Sequence, residues 1–337
     1  MRSTRGITLE MTTDTLLEVR DLVVEFDTDA GRLRAVGGVS LDVRPGECLA
    51  VVGESGSGKT QLFLACLGLL PGNAHASGSA RFAGTELIGA PEEELNGVRG
   101  LGIGMVMQDP MNALTPHLSV ERQLTEGLVD RRLASRAEAH RRALEALATV
   151  GITEPGERLG QYPHELSGGM RQRVAIAMAL IGGPRLLIAD EPTTALDVTV
   201  QARILELLRS IKARGLAIVL VTHDLGVVAG LADRVAVMYA GRLVEVGPAP
   251  ALLGTPAHPY TAALLACVPR LDAPGTASLA VIDGQPPAPG EVRCGCAFAA
   301  RCPLASEVCR EIEPVMRGVG PERMAACHAP YAVGPAP

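Results

Sequence analysis

One eight-residue segment constrains the fold of this chain more than any other. Residues 53–60 read GESGSGKT, directly after the continuous apolar run 47–52 (ECLAVV) and directly before an apolar helical pattern. A continuous apolar run that ends in glycines is typical of a strand buried on both faces of a parallel sheet. The glycines let the backbone amides point inward, and the following helix adds the positive end of its dipole. The segment therefore predicts a phosphate-binding loop between a strand and a helix.

The side chains of this loop are suited to bind the phosphates and the magnesium ion of a nucleoside triphosphate. The Lys59 ammonium is expected to reach the β- and γ-phosphates, and the Thr60 hydroxyl is expected to ligate magnesium. We expect a nucleoside triphosphate to contact the whole segment, which comprises Gly53, Glu54, Ser55, Gly56, Ser57, Gly58, Lys59 and Thr60.

Strand and helix patterns alternate along the first 250 residues. Near-alternating apolar and charged residues at 16–26 and 38–43 predict antiparallel strands with one wetter face. Further short apolar runs lie at 103–107, 186–189, 217–221 and 235–238. Strands that alternate with helices predict an α/β sheet with right-handed crossovers. The strand signal vanishes over about residues 110–180, where helical, charged sequence predicts an inserted helical subdomain.

Two acidic residues follow the predicted strand at 186–189. Asp190 and Glu191 would lie at the carboxyl end of that strand, where ligands bind in open α/β sheets. Asp190 is placed to hold a magnesium shell, and Glu191 is placed to polarise the attacking water as a general base. Paired acids in this position are otherwise common as a helix cap. Together with the loop at 53–60, the pair indicates a nucleotide hydrolase of the P-loop class.

The segment at 166–173 narrows the class. It reads LSGGMRQR and places Ser167, Gly168 and Gly169 at the amino end of a helical run, where backbone amides can bind an anion. The segment resembles the signature of ABC ATPases, with Met170 where many members have glutamine. In that family the signature of one chain faces the phosphate loop of another, so the resemblance implies a dimer that closes around two ATP molecules.

The other marks of the ABC family follow in the family's order. Gln108 resembles the Q-loop glutamine, which senses magnesium and contacts the membrane subunits, and residues 195–197 (ALD) resemble the D-loop. His223 resembles the switch histidine that contacts the γ-phosphate. Phe26 is either the aromatic residue that stacks on adenine or a core residue. The resemblance implies an ABC ATP-binding domain over residues 14–250, in which Lys59, Glu191 and His223 are catalytic and Thr60, Gln108 and Asp190 surround magnesium.

Three stretches resemble one branch of the family, the peptide/nickel importer ATPases. They are residues 108–120 (QDPMNALTPHLSV), 258–269 (HPYTAALLACVP) and 295–309 (GCAFAARCPLASEVC), the last continuing to 326–328. The resemblance implies import of dipeptides or oligopeptides, with a second, homologous ATPase, two permeases and a substrate-binding protein as partners. The cargo stays open between dipeptides, longer peptides, haem-like compounds and nickel.

The composition changes after about residue 247. Fifteen of the 24 prolines lie from Pro248 onward, which predicts a loop-rich C-terminal extension over residues 251–337 that needs a staple of its own. Cys296, Cys302, Cys309 and Cys327 crowd this tail, with Cys294 as a near neighbour that could substitute. In a reducing cytosol such a crowd favours a metal over disulfides.

The spacing of the tail cysteines leaves the occupant open. Four thiolates suit a 4Fe-4S cluster or zinc, and free buried thiols are the alternative. Resemblance to the cysteine motif of the importer branch favours the cluster, so we expect Cys296, Cys302, Cys309 and Cys327 to be its ligands.

Charge and hydropathy exclude several other classes. The net charge of −6 and the pI near 5.7 argue against a nucleic-acid partner. An ABC ATPase of DNA repair or of the ribosome would show coiled-coil heptads, a duplicated cassette or strong positive charge. This sequence has none of these features, which argues against that class. A degenerate ATPase with a metal-binding tail is disfavoured by the intact Lys59, Glu191 and His223. With no run of eighteen apolar residues, we expect a peripheral protein at the cytoplasmic face of the cell membrane.

Overall fold

The computed structural model of the chain describes residues 15–29, 31–108, 113–194, 196–268, 281–288 and 294–330. The strands are β1 (Leu17–Thr28), β2 (Gly31–Val43), β3 (Cys48–Val52), β4 (Ala74–Phe82), β5 (Thr85–Glu86), β6 (Ile103–Val106), β7 (Leu186–Asp190), β8 (Ala217–Thr222), β9 (Arg234–Tyr239), β10 (Arg242–Pro248), β11 (Arg317–Gly320) and β12 (Arg323–Ala325). The helices are α1 (Lys59–Cys66), α2 (Glu92–Val98), α3 (Val120–Asp130), α4 (Arg136–Thr149), α5 (Pro155–Leu159), α6 (Gly168–Leu180), α7 (Val198–Lys212), α8 (Leu225–Ala229), α9 (Ala249–Gly254), α10 (Pro259–Ala266) and α11 (Glu307–Glu311).

The strands form two sheets. A four-stranded antiparallel sheet has the order β2-β1-β4-β5, and an eight-stranded sheet has the order β11-β12-β10-β9-β3-β8-β7-β6. In the larger sheet β6, β7, β8, β3 and β9 are parallel, whereas β10, β11 and β12 pair antiparallel at one edge. The predicted fold class, an α/β ATPase domain with an antiparallel β subdomain and an inserted helical subdomain, is therefore confirmed.

The parallel strands bring three strand ends together. β3 pairs with β8, and β8 pairs with β7, so these three strands are direct neighbours. In the registers Val52 lies opposite Thr222 and Asp190 lies opposite Val221. Every residue of the three strands is buried, which explains why their sequences are continuous apolar runs instead of alternating ones. Residues that follow these strands meet at one edge of the sheet.

Helices fill the stretch between β6 and β7. α3, α4 and α6 begin at serine N-caps, since the hydroxyls of Ser119, Ser135 and Ser167 each accept a hydrogen bond from a backbone N–H three residues later. Their apolar faces share a core with α7 and one face of the large sheet. A second core lies between the two sheets.

The C-terminal extension continues the large sheet. β12 pairs with β10 through Ala325 and Met324, and β11 closes the edge. A third core, listed here by its larger members, joins the extension to the strand β9: Val235, Val237, Tyr239, Leu252, Tyr260 and Phe298. Strand pairing and aromatic packing hold the extension against the rest of the fold. The residue limits 14–250, 110–180 and 251–337 stay predictions.

In the part of the chain that the structure describes, no helix is both long enough and apolar enough to cross a bilayer.

Candidate active site

The loop at residues 53–60 curls at the end of β3, as its glycines allow. Gly58 has φ +95°, a left-handed conformation that side chains disfavour, and a Cβ atom on it would lie 2.4 Å from the Ala35 carbonyl oxygen. The loop therefore packs against β2 at a distance that only glycine permits. Ser57 and Lys59 turn inward and are buried, whereas Ser55 and Gly56 are exposed.

The Lys59 ammonium lies inside the curled loop. The side chain is only 6% exposed, and Nζ donates hydrogen bonds to the carbonyl oxygens of Gly53 (2.7 Å) and Glu54 (2.9 Å). Burial lowers the pKa of Lys59, while the carboxylates of Glu191 and Asp190 act to raise it. The ammonium is thus partly desolvated and lies near two acids that favour its charged form.

Thr60 and Asp190 form the part of the site that fits magnesium. The Thr60 hydroxyl donates a 2.7 Å hydrogen bond to Asp190 Oδ2, while Asp190 Oδ1 is buried without any hydrogen-bond partner. Burial raises the pKa of Asp190, and the hydrogen bond from Thr60 opposes that rise. An unsatisfied buried carboxylate oxygen beside a hydroxyl is a hard-oxygen site of the kind that Mg²⁺ prefers. These two residues would hold the ion, which would neutralise charge on the phosphates.

Glu191 and His223 touch each other at the ends of β7 and β8. His223 Nδ1 lies 2.8 Å from Glu191 Oε1, and the Thr194 hydroxyl donates a 2.7 Å hydrogen bond to Glu191 Oε2. Glu191 is buried and adopts a left-handed backbone with φ +50°, whereas the His223 side chain is 63% exposed. Both oxygens of the predicted base are engaged. Because His223 is exposed, it can leave Glu191 without unpacking a core residue.

Gln172 is a site residue that the sequence interpretation left without a role. It belongs to the LSGGMRQR segment, it is fully buried, and its Nε2 donates a 2.7 Å hydrogen bond to the Pro192 carbonyl oxygen. Pro192 directly follows Glu191, so the amide ties α6 to the loop that carries the predicted base. Gln172 Oε1 is buried without a hydrogen-bond partner. In the sequence, the only signal for this role of Gln172 is that it is a polar residue among the apolar residues of the buried face of α6.

The signature and Q-loop residues lie apart from this hydrogen-bonded group. Ser167 and Gly168 are exposed at the amino end of α6, where the Ser167 hydroxyl accepts from Met170 N–H, and Gly169 packs close to Val200. Gln108 is exposed two residues beyond β6.

Two remaining predictions concern Phe26 and the D-loop. Phe26 packs against the core between the sheets and pairs with Leu33 and Ala74 in the strand ladders. Ala195 lies outside the described residues, and Asp197 caps α7 by accepting from the Val200 N–H.

The prediction of a 4Fe-4S cluster in the tail is wrong. The side chains of Cys296, Cys302, Cys309 and Cys327 line one small pocket, but within the described ranges no group of three or more His, Cys, Asp or Glu side chains could hold a metal ion. The same finding removes the zinc alternative.

The environment of the tail cysteines gives the physical reason. Burial raises the pKa of Cys296, Cys302 and Cys327, which favours thiols over the thiolates that a metal needs. The Cys327 thiol also donates to the Ala329 carbonyl oxygen at 3.1 Å. Cys294 is exposed and is not among the residues that line this pocket.

The tail instead contacts the phosphate loop, a feature that the sequence did not indicate. The Glu54 N–H donates a 2.9 Å hydrogen bond to the Tyr260 hydroxyl oxygen, and Arg301 Nη1 donates a 2.9 Å hydrogen bond to Glu54 Oε2. These partners lie 206 and 247 residues from Glu54 along the chain. Among eight aromatic residues in the whole protein, three meet behind this loop: Tyr239, Tyr260 and Phe298.

Comparisons with known proteins identify two families whose models match this chain. The family described as ABC transporter matches residues 36–194, and the family described as Oligopeptide/dipeptide transporter, C-terminal region, matches residues 244–309. The oligopeptide transport ATP-binding protein OppD of Salmonella typhimurium is 49% identical over 316 residues, covering 94% of each chain. The dipeptide transport ATP-binding protein DppD of Bacillus subtilis is 50% identical over 302 residues, covering 89% of this chain and 90% of its own.

Solved structures show the same architecture. The ATP-binding cassette MJ0796, solved as a dimer bound to ADP and Pi, superposes with a TM-score of 0.62 at 28% identity, covering 69% of this chain and 98% of its own. The cbiO1 protein of Clostridium perfringens, part of an ABC transporter complex, gives a TM-score of 0.61 at 32% identity, covering 71% of this chain and 90% of its own. Identities of 49% and 50% to the OppD and DppD proteins, over 94% and 89% of this chain, show that it belongs to the ABC ATPases of the oligopeptide/dipeptide transport family.

Proposed function

We propose that this chain is the ATP-hydrolysing subunit of a peptide importer. One observation carries the proposal: the ends of β3, β7 and β8 bring Lys59, Thr60, Asp190, Glu191 and His223 into one hydrogen-bonded and electrostatically coupled group. That group holds a phosphate cradle, a magnesium site and a general base. The proposal of peptides as cargo rests on the relatives, whose names give oligopeptide and dipeptide transport.

The chemistry follows from the positions of these side chains. The loop amides and Lys59 hold the triphosphate, and Thr60 and Asp190 hold its magnesium. Glu191 polarises the water that attacks the γ-phosphate. For that role one carboxylate oxygen must be released, and the exposed His223 is the partner that can move, turning from Glu191 Oε1 toward the γ-phosphate. Nucleotide binding thus rearranges the Glu191–His223 contact.

The active form that we propose is a dimer with a second, homologous ATPase subunit. Ser167 and Gly168 present the amino end of α6 to solvent and are not part of the group around Lys59. At the start of α7, directly after Asp197, Val198 is an apolar side chain that is 83% exposed. An anion-binding helix end and an exposed apolar residue beside the D-loop suit a surface that a partner chain covers.

We propose that the permeases dock on a groove of the helical subdomain. Pro116 and His117 from the extended Q-loop stretch line it, together with Gly160, Tyr162, His164 and Glu165 from the stretch before the signature. The exposed Tyr162 ring stacks on His164 with centroids 5.8 Å apart. A groove between the Q-loop stretch and the signature is suited to pass motion from the ATP site to a membrane subunit. The chain would then be peripheral at the cytoplasmic face of the membrane, with a substrate-binding protein feeding the permeases.

The experiment that tests the hydrolase is the Glu191→Gln variant. Loss of the carboxylate removes the base but keeps a side chain of the same size, so we expect turnover to fall by at least about 100-fold while ATP binding persists. ATP should then accumulate in a stable dimer, seen by size-exclusion chromatography with light scattering. Glu206→Gln, the same change at an exposed position of α7, is the matched control. Hydrolysis at the wild-type rate in Glu191→Gln would refute the assigned base.

A further inference from the structure

The C-terminal extension grips the phosphate loop at its second residue, Glu54. Three groups of Glu54 are held at once. Its N–H donates to the Tyr260 hydroxyl, its carbonyl oxygen accepts from Lys59 Nζ at 2.9 Å, and its carboxylate accepts from Arg301 Nη1 at 2.9 Å. Two of these three partners belong to the extension and only Lys59 belongs to the loop itself.

Arg301 is fixed in this position from several sides. Its side chain is 6% exposed, and it donates to the carbonyl oxygens of Asp283 (3.0 Å) and Ile282 (3.2 Å) and to the Tyr239 hydroxyl (3.3 Å). The guanidinium also lies 5.9 Å from the ring centroids of Tyr239 and Phe298, within cation–π range. The guanidinium is therefore held by backbone carbonyls, a hydroxyl and two rings in addition to Glu54.

The position of Glu54 in the phosphate loop connects these contacts with ATP binding. The Glu54 carboxylate lies in a loop that has to receive a polyanion, and an unpaired negative charge there would repel the phosphates. Arg301 neutralises that charge. The Tyr260 hydroxyl occupies the Glu54 N–H and so fixes the orientation of the peptide group at the entrance of the cradle, while its ring packs on Tyr239 with centroids 4.5 Å apart.

We propose that Arg301 and Tyr260 are positioning residues of the ATP site, so that docking of the C-terminal extension sets the affinity of the phosphate loop for ATP. This inference rests on the proposed function. It assigns the extension a part in nucleotide binding. Hydrolysis itself stays with Glu191 and His223, which the extension does not contact through these residues.

The test is a double-mutant cycle on the full chain, read as the dissociation constant of a fluorescent ATP analogue with magnesium. Arg301→Met removes the charge and keeps much of the apolar stem. We expect it to weaken binding about tenfold, in line with the loss of a hydrogen bond between charged groups. In a Glu54→Gln background, the additional Arg301→Met change should alter the dissociation constant by less than about threefold, because no carboxylate is left to neutralise.

Two further variants separate charge from packing. Arg301→Lys keeps the cation and should bind ATP within about threefold of wild type even though it cannot keep all of the carbonyl contacts. Tyr260→Phe removes only the hydroxyl acceptor and should weaken binding about three- to tenfold, with no rescue by Glu54→Gln. Arg310→Met, at an exposed position of α11, is the matched control and should bind as wild type does.

The outcomes distinguish this inference from the proposed function. Wild-type protein that neither binds nor hydrolyses ATP would refute the proposed function. Wild-type protein that binds ATP while Arg301→Met binds equally well would refute the positioning role alone. Equal losses from Arg301→Met with and without Glu54→Gln would show that Arg301 acts only by packing, and would also overturn it. Should Arg301→Met fail to fold, tenfold weaker binding by Arg301→Lys would still contradict the charge argument. Under the proposal, kcat at saturating ATP stays within about twofold in the single Arg301 and Tyr260 variants and KM carries the change.

Discussion

A buried histidine at the start of α10 makes the stability of this protein depend on pH. His258 is 1% exposed, its Nδ1 accepts a 3.0 Å hydrogen bond from the Tyr260 N–H, and its ring also hydrogen-bonds to the Ala326 backbone. Burial lowers the pKa of His258 from 6.5 to about 4, although the Ala326 contact acts in the opposite direction. The ring is therefore neutral in the folded state at pH values where the unfolded chain already binds a proton.

The sign and size of the effect follow from proton linkage. Because the pKa is lower in the folded state, the contribution of His258 to stability is complete above pH 6.5 and is lost as the pH falls toward 4. Integrating the difference in bound protons between pH 7.5 and pH 5 gives a loss of about 2 kcal/mol from this one ring. Glu245 and Arg323 flank the site, since Glu245 Oε2 accepts from the His258 N–H and Arg323 pairs with Glu245.

The His258→Asn variant isolates this term. Asparagine keeps a side-chain acceptor for the N-cap but does not titrate, whereas Glu245 and Arg323 are the same in both proteins and cancel. We expect the free energy of unfolding to fall about 2 kcal/mol less between pH 7.5 and pH 5 in the variant than in wild type. Urea titrations followed by circular dichroism at the two pH values measure it. His164→Asn, at an exposed position, is the control. Equal pH dependence in wild type and His258→Asn would refute the reasoning.

Two other substitutions test the packing of the loop and of the tail. Gly58→Ala forces a Cβ into the Ala35 carbonyl at φ +95° and should abolish binding of the ATP analogue. Gly56→Ala, at φ +78° with no atom within 4 Å of the added Cβ, should keep that binding at a cost of only about 1 kcal/mol of backbone strain. Equal losses of ATP-analogue binding in the two variants would show that the steric argument is wrong. Arg323→Met leaves the fully buried Glu245 carboxylate without its cation and should destabilise the fold by about 3 kcal/mol in urea, with recovery in Arg323→Met/Glu245→Gln. Lack of recovery in the double variant would assign the loss to packing of the arginine stem.

Two parts of the structure arise from patterns that are local in the chain. The apolar run 47–52 and the glycines after it predict both β3 and the loop, because a buried parallel strand and a curled anion-binding turn each impose residue types at fixed spacing. The acids at 190 and 191 and the histidine at 223 follow apolar runs for the same reason. Parallel neighbours in the sheet then bring the ends of those runs together.

The tail shows what local pattern cannot supply. The ligand chemistry of four cysteines left a 4Fe-4S cluster, zinc and free thiols open, and the resemblance to a family motif favoured the cluster. Ligand type does not fix whether buried thiols form a metal site, and among the described residues of this fold they do not. The sequence also gave no sign that a tyrosine and an arginine 206 and 247 residues away would hold Glu54. Such contacts depend on how the extension packs against β9 and β10.

The amino-acid sequence by itself therefore determined the strand ends, the phosphate cradle and the acids beside it, because backbone curvature and burial select residues within a few positions of one another. Only the tertiary structure decided that Arg301 and Tyr260 contact Glu54 of the phosphate loop and that, among the described residues, Cys296, Cys302, Cys309 and Cys327 do not form a metal site. The physical reason is that these outcomes depend on distances between segments remote in the chain, and those distances are set by packing of the whole molecule.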